Sequence, residues 1–166
     1  NENPKLELEY KDYPITRKIP AANGKKQHEN LLIFENDLNF YGREKLYSSY
    51  KNIFVATLPN DARHIRLSSS IIGYKKDLVA QFCEFFPNST ILSSDLESTI
   101  SSNNKFDIVY PFVGENLTFL ERLKSRTSIE YSFLFRHEDH ISMQYCQKGF
   151  FQFKKNIPKI LESLLC

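Results

Sequence analysis

The 166 residues contain no tryptophan, five glycines and three cysteines. Each scarcity removes a class of protein. Neither G-x-G-x-x-G nor G-x-x-x-x-G-K-[ST] occurs, so a glycine-cradled dinucleotide or P-loop phosphate site is not expected. Cys83, Cys146 and Cys166 are odd in number and far apart. That spacing suits neither a disulfide framework nor a paired-cysteine zinc site, and it fits a reducing, cytoplasmic compartment. No apolar stretch approaches the roughly 20 residues that a membrane helix needs. Leu31-Leu32-Ile33-Phe34 is as long as a purely apolar run becomes. No signal-peptide core precedes it, because the opening residues are polar and broken by Pro4, Pro14 and Pro20. A first residue other than Met fits a processed product or a piece of a longer protein. A strong charge of one sign is also missing: 22 Lys and Arg against 20 Asp and Glu leave +2. That is too little for a protein that coats nucleic acid.

What is present is enough apolar sequence for a core. Hydrophobic residues make up 41%, with fourteen Phe and nine Tyr, so the interior should be rich in aromatic rings. Residues 1–30 carry three of the seven prolines and read as an extended tail or linker. Within them, Leu6 and Leu8 alternate with charged residues in the manner of a short edge strand. Residues 31–166 read as the folded domain.

Five short apolar runs follow: residues 31–34, 53–56, 90–92, 108–110 and 131–135. Each ends in polar, turn-forming residues. Runs that are apolar on both faces suit strands buried between two layers. Between them lie helical patterns. The clearest runs from about Ser70 to Phe86, with Ile71, Ile72, Leu78, Val79, Phe82, Phe85 and Phe86 at three- and four-residue steps. Lys75, Lys76, Gln81 and Glu84 should face away, and Pro87-Asn88 ends the pattern. Gly73 inside it either allows close packing or costs stability. Leu117, Leu120 and Leu123 form a second stripe. A third spans Phe150 to Leu165, where Pro158 marks a kink or a late start.

Buried strands alternating with helices predict an α/β fold, a five-stranded parallel Rossmann-like sheet with helices on both faces. Ligands in such sheets sit beyond the carboxyl ends of the strands, where the strand order reverses. The turns near positions 36, 60, 94, 114 and 137 should therefore share one rim.

Several chemical signals fall on or near that rim. Arg136-His137-Glu138-Asp139-His140 is the densest polar cluster, and it reads either as a metal or acid–base site or as a solvated loop. The absence of H-E-x-x-H favours the loop. Ser68-Ser69-Ser70, Ser93-Ser94 and Ser101-Ser102 lack the G-x-S-x-G context of a nucleophile and suit capping and turns. Ser94 or Asp95 should cap the short helix after the third strand. Cys83, among phenylalanines on the strongest helix, suits a buried, inert thiol. Arg63, His64 and Arg66 form a basic stretch that could meet a phosphate, although a solvated loop explains them more simply.

Leu31 to Leu46 resembles the opening of the photolyase/cryptochrome family, a hydrophobic strand running into an Arg-Asn-Asp-Leu-Arg-type turn. Asn36-Asp37-Leu38 keeps the centre of that motif, while Glu35 and Asn39 stand at its arginine positions. Val113-Gly114-Glu115-Asn116 is similar to the family's turn at the antenna pocket. The stretch from Gly149 to Ile157 is similar to the segment that closes that domain, with Asp139-His140 ahead of it. The resemblance covers about residues 31–165.

It implies the N-terminal, antenna-type α/β domain alone, without the family's helical FAD-binding domain. This implies a split, permuted or truncated relative, or a subunit joined to a helical FAD-binding partner, with contact to DNA only indirect. Antenna domains of the family take a folate, a deazaflavin or a flavin, and some take nothing. They absorb light and pass the energy to FAD in DNA repair or light sensing, without bond chemistry of their own. The resemblance implies Glu115 as the hydrogen-bond partner of a pterin-like ring, with Asn36, Asp37, Leu58 and Asn60 along the same edge. Backbone capping is the plainer role for Asn36 and Asp37. Two other readings stay open: a nucleotide-binding Rossmann-like domain acting on a phosphorylated small molecule through Arg63, His64 and Glu115, and an interaction module with a dead pocket.

Overall fold

A computed structural model describes Pro20 and residues 24–93, 95–146 and 149–165. The chain divides into two compact units. One spans residues 21–140 and holds the sheet. The described part of the other consists of Pro20, residues 141–146 and residues 149–165. The expected edge strand at Leu6 and Leu8 lies outside the described residues, as does Ser94.

The sheet unit contains all five expected strands: β1 (Asn30–Phe34), β2 (Asn52–Ala56), β3 (Ser89–Leu92), β4 (Lys105–Val109) and β5 (Glu130–Leu134). Every pairing is parallel and the order is β3-β2-β1-β4-β5. The protein thus has the α/β, Rossmann-like fold. The strand order reverses between β1 and β4. Parallel pairing brings the carboxyl ends of all five strands to one edge.

Side chains alternate across the sheet. Leu31, Ile33, Ile53 and Val55 point to one face. They share a buried cluster with Tyr47 of α1 (Glu44–Ser48) and Val79 and Phe82 of α2 (Ser69–Phe85). Phe34 points the other way and meets Phe119 of α4 (Glu115–Arg126) edge-on, with centroids 6.5 Å apart. Helices therefore cover both faces. α3 (Leu96–Asn103) buries Leu96 and Ile100.

α2 starts where Ser68 Oγ accepts the Ile71 N–H and ends at Phe86, ahead of Pro87. Its stripe is narrower than the spacing suggests. Val79, Phe82 and Phe86 are buried, whereas Ile71 and Phe85 are about half exposed. Phe85 still stacks on Phe40, at 4.4 Å and 29°. Gly73 has open space where a Cβ would stand, so close packing does not explain it.

The segment before β1 is pinned from inside the sheet. Asp107 of β4 is fully buried, and its Oδ2 accepts Gln27 N–H at 2.8 Å, His28 N–H at 3.2 Å and Tyr50 O–H at 2.7 Å. Burial, reinforced by that bond to Asp107, pushes the Tyr50 hydroxyl well above the ordinary tyrosine range.

The expected solvated loop at residues 137–140 is a helix instead, the start of α5 (His137–Tyr145). Periodicity could not announce it, because no residue of α5 is buried. In the second unit, α6 (Phe150–Leu165) keeps Pro158 inside the helix. No described helix is long and apolar enough to cross a membrane.

Candidate functional site

The rim is built from the turns that follow β1, β2 and β4. Glu35 continues β1, and its N–H still donates to Ala56 O at 3.0 Å. That register carries its side chain inward, where only 4% is exposed. A carboxylate so placed needs cations. Lys75 Nζ of α2 reaches it at 3.0 Å, and Arg63 Nη2 donates to the same oxygen. Lys75 also donates to Asn36 Oδ1. The expectation that Lys75 faces away from the fold is thus corrected.

Arg63 follows a single 3-10 turn, Asn60–Ala62, on the connection between β2 and α2. Its side chain is 5% exposed. Nε and Nη2 donate to Leu58 O at 3.1 and 2.8 Å, and Nη1 donates to Glu115 Oε2 at 3.1 Å. Glu115 opens α4 directly after Gly114, whose φ of +82° favours glycine. Its second oxygen accepts the His64 N–H at 2.8 Å and the Ile65 N–H at 3.4 Å. Burial alone would raise the pKa of Glu115. Those two amides and Arg63 outweigh it and hold the carboxyl below the usual glutamate range.

Glu35, Arg63 and Glu115 therefore link the turns after β1, β2 and β4, and β1 and β4 flank the reversal point. The same cluster fixes the loop between β2 and α2. Asn60 fastens the loop further, donating to Leu67 O at 3.0 Å and accepting Leu67 N–H at 2.8 Å.

Beside the cluster, a cleft of about 490 Å³ opens between α2 and the carboxyl ends of β2 and β3. Leu58, Pro59, Ile72, Val79 and Ile91 give it apolar walls. Asn60, Arg63, Lys75 and the exposed Lys76 supply polar groups. Ile91 is half exposed on an edge strand, which leaves one apolar wall without a covering element. A larger recess of about 690 Å³ lies at the opposite ends of the strands, beside Asn30, Lys105 and Glu130. Lys105 and Glu130 pair there at 2.7 Å. In open parallel sheets ligands bind at the carboxyl edge, which favours the smaller, more apolar cleft.

The five site residues expected from the sequence are distributed along this rim. Leu58 and Asn60 line the cleft. Asn36 lines an adjoining recess of about 430 Å³ on the far side of Glu35. Glu115 is joined to the cleft through Arg63. Asp37 turns toward β5 and pairs with Arg136. Burial raises the Asp37 pKa, and the Arg136 charge opposes that shift.

Arg63 and Glu35 are the residues that sequence reasoning misjudged or missed. The basic stretch suggests Arg63 as a possible anion ligand, but its guanidinium is bonded inside the protein, to Glu35, Glu115 and Leu58 O. No local pattern shows that residues 35, 63 and 115 meet.

The serines act locally, as their context suggests. Ser68 caps α2, while the hydroxyls of Ser101 and Ser102 donate to Glu97 O and Thr99 O. Asp95 stands at the start of α3, but its carboxylate accepts Ser93 N–H at 3.3 Å and does not cap the helix. Burial pushes the Cys83 thiol up, away from the reactive thiolate. Among the described residues, no group of three His, Cys, Asp or Glu could hold a metal ion.

No protein-family model matches the chain, and no curated protein matches it. What the site can do has to follow from its own chemistry. It is a preformed, largely apolar slot with Glu35, Arg63, Lys75 and Lys76 among its polar lining.

Proposed function

We propose that this chain is a non-catalytic, photolyase/cryptochrome-like α/β domain that holds a light-absorbing antenna ligand and works with a separate helical FAD-binding domain. The observation that carries this reading is the apolar cleft beside Leu58 and Ile91, with Lys75 and Lys76 on its wall. The parallel sheet and the motif resemblances around residues 36 and 115 support it.

A folate, deazaflavin or flavin ring would lie against Leu58, Ile72, Val79 and Ile91. A ring burying about 200 Å² of apolar surface gains about 5 kcal/mol, enough to offset much of the cost of association. Lys76 would meet its anionic tail. In this role the domain orients a chromophore and excludes water, and bond chemistry belongs to the partner.

The test is reconstitution of the purified chain with riboflavin 5′-phosphate, a deazaflavin and methenyltetrahydrofolate in turn. A retained near-ultraviolet or blue band after gel filtration supports the reading. Ile72→Glu, which puts a charge into the wall, should abolish it. Failure of all three ligands to bind removes the antenna role.

Lys76 also favours a second reading, because no hydrogen bond or ion pair to its ammonium group is present among the described residues. An exposed ammonium beside an apolar slot would also suit the phosphate of a nucleotide. A thermal shift with AMP or ATP, and none with flavins or folates, would decide for a nucleotide-binding domain.

A further inference from the structure

A second recess, of about 610 Å³, lies on the β5 side of the same rim, between the turn after β1 and the start of α5. It is distinct from the cleft beside α2, with which it shares no lining residue. Its apolar base is Leu46, Leu134 and Phe135. Leu134 and Phe135 are buried. Tyr41 stands on the wall with 89% of its surface exposed, and among the described residues no ring stacks on it.

The charged groups divide into spent and unspent. Arg136 is spent: it pairs with Asp37, donates to Asn39 O at 3.2 Å, and has Asp139 at 3.9 Å. Arg43 is largely unspent. One guanidinium N–H donates to Tyr47 Oη at 3.3 Å, and the guanidinium makes no other hydrogen bond among the described residues. The Glu138 carboxylate accepts no hydrogen bond from any described residue, and it is not paired with Arg43.

An unspent cation and an unspent carboxylate lining one recess balance in charge. They disfavour a simple anion or cation and suit a neutral ring with acceptors and donors along its edge. An exposed tyrosine suits stacking on that ring. Among common neutral heterocycles, guanine presents this pattern. Its O6 and N7 accept from a guanidinium, and its N1–H and N2–H groups donate to a carboxylate.

We propose that this recess is a guanine nucleoside site, with Arg43 donating to the acceptor edge, Glu138 accepting from the donor edge and Tyr41 stacking on the ring. The proposal does not depend on the antenna reading, which concerns the other cleft.

Isothermal titration of the full chain with guanosine tests it, with adenosine and inosine as comparison ligands. Guanosine should bind with a Kd below about 1 mM, a modest affinity for a partly open site. Adenosine should bind at least tenfold more weakly, on the order expected for a mismatched base edge. Inosine, which lacks the N2 amino group, should fall between them. Tyr41→Ala, at a position too exposed to threaten folding, should weaken guanosine about fivefold or more. Glu138→Gln should weaken it about tenfold and leave the thermal midpoint unchanged. No heat with guanosine at about 1 mM, equal binding of adenosine, or guanosine affinity unmoved by both variants would each overturn the assignment.

Discussion

Tyr50, Arg63 and Gly73 show how unevenly single residues weigh in this protein. The Tyr50 hydroxyl donates to a fully buried carboxylate at 2.7 Å. Tyr50→Phe should cost about 1.5–3 kcal/mol, the usual worth of a hydrogen bond to a charged group, and a urea midpoint measures it. Arg63→Met removes one cation from Glu35 and, among the described residues, the one side-chain cation bonded to Glu115. Lys75 remains on Glu35 at 3.0 Å, so the loss should fall near the low end of about 3–5 kcal/mol. Gly73→Ala works in the opposite sense. It fills open space in the middle of a helix and should stabilise by about 0.5–1 kcal/mol in the same measurement. Glu115 gives a pH signature. Its folded pKa lies below the ordinary 4.5, so its contribution is present above that value and fades as pH falls through the lowered one. Glu115→Gln should therefore flatten the acid limb of the stability curve and lower its level at neutral and alkaline pH without changing the slope there.

At the scale of elements, buried pieces were legible in the sequence and solvent-facing ones were not. The strands appear within one to three residues of their apolar runs, because a strand covered on both faces must be apolar almost throughout. α2 and α4 were visible for the related reason that each buries one stripe. α5 was invisible because none of its residues is fully buried, and no period distinguishes it from a loop. α2 also carries a prediction. Ser68 caps it through a single 3.4 Å bond, so Ser68→Ala should cost about 0.5–1 kcal/mol, readable as a shift in thermal midpoint. The cost should be accompanied by weaker ligand binding, since Ile72 and Lys75 lie in the first two turns of that helix and line the cleft.

The whole molecule sets which residues of the rim can meet a ligand. Parallel pairing brings the ends of β1, β2 and β4 together, and the order β3-β2-β1-β4-β5 places the reversal between β1 and β4. Glu35, Arg63 and Glu115 tie the turns on either side of that reversal to one another. The two open recesses of interest flank them, one toward β3 and one toward β5. Amino-acid order alone determined the α/β architecture and the positions of the strands. Both follow from local apolar runs and the turns that end them, which read the same whatever the rest of the chain does. Only the tertiary structure decided that Arg63 is an internal counter-ion, that Lys75 reaches back to the rim, and that Leu58 and Asn60 face one cleft while Asp37 belongs to another neighbourhood. Charges dozens of residues apart pair according to which loops the sheet brings together and how deeply each is buried, and neither leaves a periodic trace along the chain.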